Sequence, residues 1–144
     1  MKNIEPLTTK DIGALNLLLK AASLPVVNPD DSTTHFIKAV DDTGTLIGAI
    51  GLEVYGEFGL MRSLVVGEAH RNQGIAHLLV GQIMRNAKAL NLKRLVLLTT
   101  TADQFFDTLF FERIHRDTIP EEIKLSKEFS SICPVSAVIM QNEI

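Results

Sequence analysis

Apolar positions recur at helical spacing in two long stretches of this chain, and at strand spacing or without interruption in several short ones. Ile12, Leu15, Leu18 and Leu19 predict a first helix. It is opened by Thr8-Thr9-Lys10-Asp11, where hydroxyls can cap and an acid sits in the first turn. Ile75, Leu79, Ile83, Ala87 and Leu90 lie three or four apart and predict a second helix over residues 75–90. Its apolar stripe should pack on a sheet, with Arg85, Asn86 and Lys88 off the stripe. Strands are predicted over residues 2–5, Phe36 to Val40, Leu46 to Tyr55, Leu60 to Val66, Phe111 to His115 and Val135 to Met140. Leu95-Val96-Leu97-Leu98 is a continuously apolar run, the kind buried on both faces of a sheet. Asp41-Asp42-Thr43-Gly44 reads as a hairpin turn and Gly56-Glu57-Phe58-Gly59 as the next turn. Leu24-Pro25 and Asn28-Pro29-Asp30-Asp31 are breakers, so that segment is loop or short turns. Thr101-Ala102-Asp103-Gln104 is a capping-box pattern opening a third helix, and Pro120-Glu121-Glu122 opens a fourth. Strands first, then a strand–helix–strand unit, then mixed elements predict a mixed α/β sheet.

Size and charge narrow the classes. A chain of 144 residues is one domain by length, here 1–144, and 46% hydrophobic residues are enough for a core. A net charge of −3 argues against a nucleic-acid binder, which should carry a basic patch. One cysteine, Cys133, allows no intramolecular disulfide, and a free cysteine is more often a small buried core residue. Neither a signal peptide nor an apolar run of membrane-spanning length is evident, so the expectation is a soluble cytoplasmic protein with no membrane partner. His35, His70, His77 and His115 are scattered without ligand spacing, so no metal site is expected.

The stretch with the most chemical content is Arg71-Asn72-Gln73-Gly74-Ile75-Ala76, between an apolar strand and an amphipathic helix. The first turn of a helix has N–H groups without intrahelical partners, and the helix dipole adds partial positive charge there. Gly74 would let a phosphate approach the backbone, and Arg71 adds charge beside those amides. Alone, such a loop is more often plain turn chemistry. A second feature is Glu53, an acid in an otherwise apolar strand, with Tyr55 two residues on and so on the same face. If the Gly56–Gly59 loop has four residues, Arg62 sits opposite Glu53 across the hairpin.

Leu-Val-Val, a few polar residues and Arg-x-x-Gly-x-Ala together resemble the acetyl-CoA signature of the GNAT superfamily of N-acetyltransferases. The element order resembles that fold over essentially the whole chain. Gly51-Leu52-Glu53-Val54-Tyr55-Gly56, Leu60-Met61-Arg62-Ser63-Leu64, Leu97-Leu98-Thr99-Thr100-Thr101 and Phe129 to Val138 are similar to acetyltransferases encoded in bacterial arsenic-resistance operons. The Leu-Thr-Thr segment with Phe105-Phe106 and the later Ile119-Pro120 are also similar to the acetyltransferase domain of amino-acid (glutamate) N-acetyltransferases.

The resemblance implies a single α/β domain with a mixed, mostly antiparallel central sheet flanked by helices, its pyrophosphate loop between the fourth strand and the following helix. It implies acetyl-CoA as cofactor and direct transfer to an amine, here that of a small molecule, an amino acid or an amino-acid-like compound. The arsenic operon is an association and names no substrate. Leu64, Val65 and Val66 occupy the strand whose backbone meets pantetheine, and Arg71, Asn72, Gln73, Gly74, Ile75 and Ala76 the pyrophosphate loop. Thr99 sits where many members have an asparagine on the pantetheine arm; capping the next helix is the other reading. The position of the family's usual tyrosine acid is Phe106, which cannot donate a proton and is left as part of the acceptor wall. Glu53 is a general base with a pKa raised by burial, a group for the substrate ammonium, or only the structural partner of Arg62. Tyr55 is the only tyrosine and the remaining proton-carrying candidate beside it. Arg62 could instead grip a substrate carboxylate, and Ser136 could face the acceptor. Relatives read Leu-Gly-Phe where this chain has Leu109-Phe110-Phe111, so the helix must close differently there or carry strain. Family members often dimerise, which leaves a homodimer open. The rivals are a non-catalytic acetyl-CoA-binding module and a protein N-acetyltransferase.

Overall fold

The computed structural model describes residues 3–28, 34–100, 102–124, 126 and 137–144. Seven strands form one sheet in the order β1-β2-β3-β4-β5-β7-β6. They are β1 (Asn3–Pro6), β2 (Thr34–Val40), β3 (Leu46–Tyr55), β4 (Phe58–Val66), β5 (Arg94–Thr99), β6 (Glu112–Ile114) and β7 (Val138–Glu143). The helices are α1 (Ile12–Ala21), α2 (Ile75–Ala89), α3 (Asp103–Asp107) and α4 (Glu121–Lys124). β1 pairs antiparallel with β2, as β5 and β6 do with β7, while β4 and β5 are parallel. A parallel pair needs a crossover, and α2 supplies it. This is the mixed, mostly antiparallel α/β sheet that the resemblance implied. Strand β7 begins at Val138; Val135, with Ser136 and Cys133, lies outside the described residues.

The chain packs as two compact units, Met1–Leu52 with Ser63–Asn86 and Glu53–Arg62 with Ala87–Ile144. In the first, Leu15 and Leu19 of α1 join Ala49 and Val65 in a buried cluster with Val27. The neighbouring position, Gly48, faces the other way: a Cβ there would meet the Val65 carbonyl oxygen at 3.0 Å, Leu79 at 3.3 Å and Ile75 at 3.4 Å. Successive strand residues face opposite sides, so α1 and α2 cover opposite faces of β3. Asp11 fastens the start of α1: its carboxylate accepts from the Thr8 N–H at 2.9 Å and from Lys38 Nζ at 2.9 Å. The apolar stripe of α2 is buried from Ile75 through Ala87, but Leu90 is 51% exposed. The expectation for Leu90 fails because α2 stops at Ala89, and Asn91 takes a left-handed φ of +61° that turns the chain away.

In the second unit Leu60, Val96, Ile119, Ile123 and Ile139 form a buried cluster, with Tyr55, Phe58, Leu98 and Ile114 packed on it. Hairpin β3–β4 differs from expectation. β3 runs to Tyr55 and β4 starts at Phe58, leaving Gly56-Glu57 as a two-residue connection rather than a four-residue loop. Gly56 at φ +63° fits the turn class with glycine first, whose twist matches the strands. A two-residue turn sets Leu60 across from Glu53 and Arg62 one diagonal step further on, still within reach of a long side chain.

Candidate functional site

Two groups of residues are candidates for the chemistry. The first lies in the first unit, where β4 gives way to α2. Within β4, Ser63 takes φ +60°, two residues beyond the last β4–β5 pair, Met61↔Leu97. A left-handed residue in a strand breaks the two-residue period and re-aims the rest of the strand. The re-aimed residues are Leu64-Val65-Val66, with Val65 buried in the α1 cluster. Serine is not a residue whose presence signals positive φ, so nothing in the sequence marked Ser63.

After Val66 the chain makes a short 3-10 helix, Glu68–His70, and enters the loop at an extended Arg71. Arg71 Nε donates to the Val66 carbonyl at 3.1 Å, which ties the loop back to the strand end. Asn72 and Gly74 both take left-handed φ, +63° and +80°. Asparagine tolerates that region through its short polar side chain; glycine has no penalty there. A Cβ built on Gly74 would meet nothing within 4 Å, so the space in front of this peptide is open. In α2 the Leu78 N–H donates to the Gly74 carbonyl at 3.1 Å. The amides of Ile75 and Ala76 lie ahead of it, in the turn where a helix has no preceding carbonyl to offer. Open space, glycine, first-turn amides and the positive end of a fifteen-residue helix fit a phosphate group.

The second group lies in the second unit. Glu53 is 4% exposed. Its Oε1 accepts from Arg62 NH1 at 3.0 Å, and its Oε2 accepts from the Tyr55 hydroxyl at 3.0 Å. Arg62 is almost as buried, at 10% side-chain exposure. The structure therefore brings together Glu53, Tyr55 and Arg62. Each charge answers the other, as burial requires: removing one partner of a buried pair leaves the other uncompensated.

Thr99, at the end of β5, accepts from the Ala102 N–H at 2.8 Å through its hydroxyl. Thr99 thus fixes the turn that leads into α3 rather than capping it: Ala102 holds the N-cap position without a side-chain cap, so the expected capping box does not form, and Thr101 lies outside the described residues. Phe106, 4% exposed, packs edge-on against Phe105 and Phe111, with ring centroids 5.1 and 5.4 Å apart.

The helix end without glycine closes in the glycine's own conformation. Phe110 takes φ +68°. Phe111 N–H reaches the Phe106 carbonyl and Phe110 N–H the Asp107 carbonyl, both at 3.1 Å, the paired bonds of a Schellman motif. Arg113 clamps the turn from β6, donating to Asp107 at 2.7 and 2.9 Å and to Asp103 at 2.8 Å. Its bond to Arg113 holds the Asp103 carboxyl below the ordinary carboxylate value, and Asp107 and Asp103 raise the guanidinium further.

Comparison with known proteins agrees with these features. Residues 13–115 match the model of the acetyltransferase (GNAT) family, so the chain belongs to that family, whose cofactor is acetyl-CoA. No curated protein matches it. Among solved structures, a GNAT-family acetyltransferase from Staphylococcus aureus Mu50 is similar at TM-score 0.78 and 17% identity, over 99% of both chains. A Mycobacterium tuberculosis protein in complex with CoA is similar at TM-score 0.83 and 22% identity, again over 99% of both chains. N-acetylglutamate synthase from Neisseria gonorrhoeae, complexed with coenzyme A and N-acetyl-glutamate, is similar at TM-score 0.84 and 20% identity. The match takes 99% of this chain but only 35% of that one. At these identities the likeness is one of fold.

Proposed function

We propose that this member of the acetyltransferase (GNAT) family works as one domain over residues 1–144 and acetylates the amine of a small molecule, an amino acid or an amino-acid-like compound, by direct transfer from acetyl-CoA. The observation that carries the reading is Gly74, left-handed at φ +80° with no atom within 4 Å of where a Cβ would lie, at the start of α2. Arg71, Asn72, Gln73, Gly74, Ile75 and Ala76 hold the pyrophosphate through backbone amides and the Arg71 charge. Leu64, Val65 and Val66, re-aimed by Ser63, offer backbone groups to the pantetheine arm, and Thr99 at the end of β5 is a further contact for it. The bound cofactor supplies an activated acetyl thioester; the chain has to receive the proton of the attacking ammonium. Glu53 takes that proton, directly or through water. Tyr55, donating to the same carboxylate, carries the proton for the leaving thiolate in place of the side chain that Phe106 lacks. Arg62, donating to Glu53 at 3.0 Å, orients its carboxylate, and Phe106 and Ser136 are assigned to the acceptor side.

The favoured acceptor follows the resemblance to amino-acid N-acetyltransferases and the arsenic-operon group. A panel of amino acids with arsenic- and phosphorus-bearing analogues therefore tests it, read as free thiol released from acetyl-CoA. The protein should be cytoplasmic and meet its acceptor there. Glu53→Gln should lower turnover roughly 100-fold while leaving acetyl-CoA affinity nearly unchanged. The variant should also lose stability, because Arg62 is left buried beside a neutral amide. Undiminished turnover across the pH range would reduce Glu53 to a structural partner of Arg62. Acetyl-CoA binding without turnover on any amine would favour the non-catalytic reading, to which the phenylalanine at position 106 points.

A further inference from the structure

One cavity of the second unit has no part in the chemistry above. It has a volume of about 400 Å³ and is lined by Arg116, Asp117, Ile119 and Lys124, in the segment between β6 and the end of α4. It is open to solvent, so a ligand there is held from one side. Ile119 belongs to the buried cluster on which Tyr55 also packs, so the cavity has an apolar floor and a charged rim.

We propose that this cavity is a carboxylate subsite, in which Arg116 and Lys124 hold the carboxylate of a small carboxylated amine. The proposal rests on the acetyltransferase reading above and narrows its acceptor class. Arg62, the other cation suited to a carboxylate, is buried and held by Glu53 at 3.0 Å. A substrate carboxylate could take Arg62 only by displacing that buried partner, at a large desolvation penalty. Arg116 is exposed and Lys124 half-buried, so neither carries that penalty; Arg116 has an interaction of its own, which an exposed side chain can exchange for a ligand. Lys124 pairs with Glu121 at 3.2 Å, but Glu121 is 82% exposed, and such a surface pair is weak enough to yield to a ligand. Arg116 has five N–H donors in a planar fork that matches a carboxylate. Among the described lining residues, Asp117 sets one negative charge against the two cations, so they leave a net positive charge for a carboxylate.

The test uses the whole chain and a probe without an amine: chemical-shift titration with glutarate, against its neutral isostere glutaramide. Glutarate should bind and glutaramide should not. Arg116→Ala and Lys124→Ala should each weaken glutarate roughly tenfold, the scale of one charge-assisted hydrogen bond. Asp117→Asn should tighten it. Glutarate affinity unchanged in both alanine variants, or equal binding of glutaramide, overturns the subsite. Turnover separates the two readings. A protein that binds glutarate through Arg116 and Lys124 yet acetylates no amine keeps the subsite and loses the enzyme. One that acetylates amino acids with an acceptor KM indifferent to both variants keeps the enzyme and loses the subsite.

Discussion

Gly74 and Phe110 share a left-handed backbone, φ +80° and +68°, and use it for different ends. At Gly74 the conformation carries no side-chain penalty, and the missing Cβ leaves open space in front of the peptide. At Phe110 the side chain is 88% exposed, and the left-handed turn costs about 1–2 kcal/mol that glycine would not incur. Neighbouring contacts offset that cost: the two Schellman bonds, the packed rings of Phe105, Phe106 and Phe111, and the Arg113 clamp. Ser23 and Asn91 show the same economy, ending α1 and α2 in left-handed turns with matching back-bonds. A helix end can therefore be imposed on almost any residue by the groups that pack beside it. A backbone that a ligand must touch allows only the residue that leaves room.

The largest expected effect tests the first half of that contrast. Gly74→Val should abolish the thermal shift given by acetyl-CoA, a loss of roughly 100-fold or more if two amide–phosphate bonds go. Wild-type affinity in Gly74→Val would place the cofactor elsewhere. Next, Phe106→Ala should cost about 3–5 kcal/mol in denaturant unfolding, since it empties the ring cluster beside the strained turn. A loss below about 1 kcal/mol would mean that this packing does not hold Phe110 in place. Phe110→Gly should stabilise by about 0.5–1 kcal/mol, the relieved strain less the added freedom of the unfolded chain. Destabilisation there would give the phenylalanine ring a contact of its own.

The smallest effect is in acid. The Arg113 bond lowers the Asp103 pKa and the Thr8 amide lowers that of Asp11, each below an ordinary value of 3.8. A carboxyl with a lowered folded-state pKa contributes stability above its unfolded value, and that contribution disappears as the pH falls through the folded one. Stability should therefore drop below about pH 4, and less steeply in Arg113→Ala, which has no clamp to lose. An identical acid slope in that variant would remove the clamp from the account of Phe110.

Much of the fold was legible because burial follows spacing. The Ile75 to Ala87 stripe is buried as its pattern requires, the Leu95 to Leu98 run is buried except for a half-buried Leu98, and Leu46 to Tyr55 is a strand with those bounds. The Gly56 turn was not, because a glycine at either end of Gly56–Gly59 permits loops of two or four residues. Only strand twist chooses between them. Leu90 fits the stripe by number, but the helix stops one residue short of it. At the candidate site, Gly74 announced itself by residue type, and Glu53 with Arg62 by charge in apolar strands. Ser63 and the cavity around Arg116 and Lys124 gave no such sign, since neither a serine nor two ordinary surface cations is unusual in sequence.

The sequence by itself determined the order of elements, the glycine before α2 and the family, because those depend on residues near one another in the chain. Tertiary structure decided that Glu53 meets Arg62 on the diagonal with Tyr55 on its other oxygen, that the Thr99 hydroxyl meets the Ala102 amide, and that Phe110 bears the turn made for glycine. Each of these is a balance between a local preference and contacts made by residues outside the local stretch. Local preferences differ by about 1–2 kcal/mol, and packing around a buried group can outweigh that.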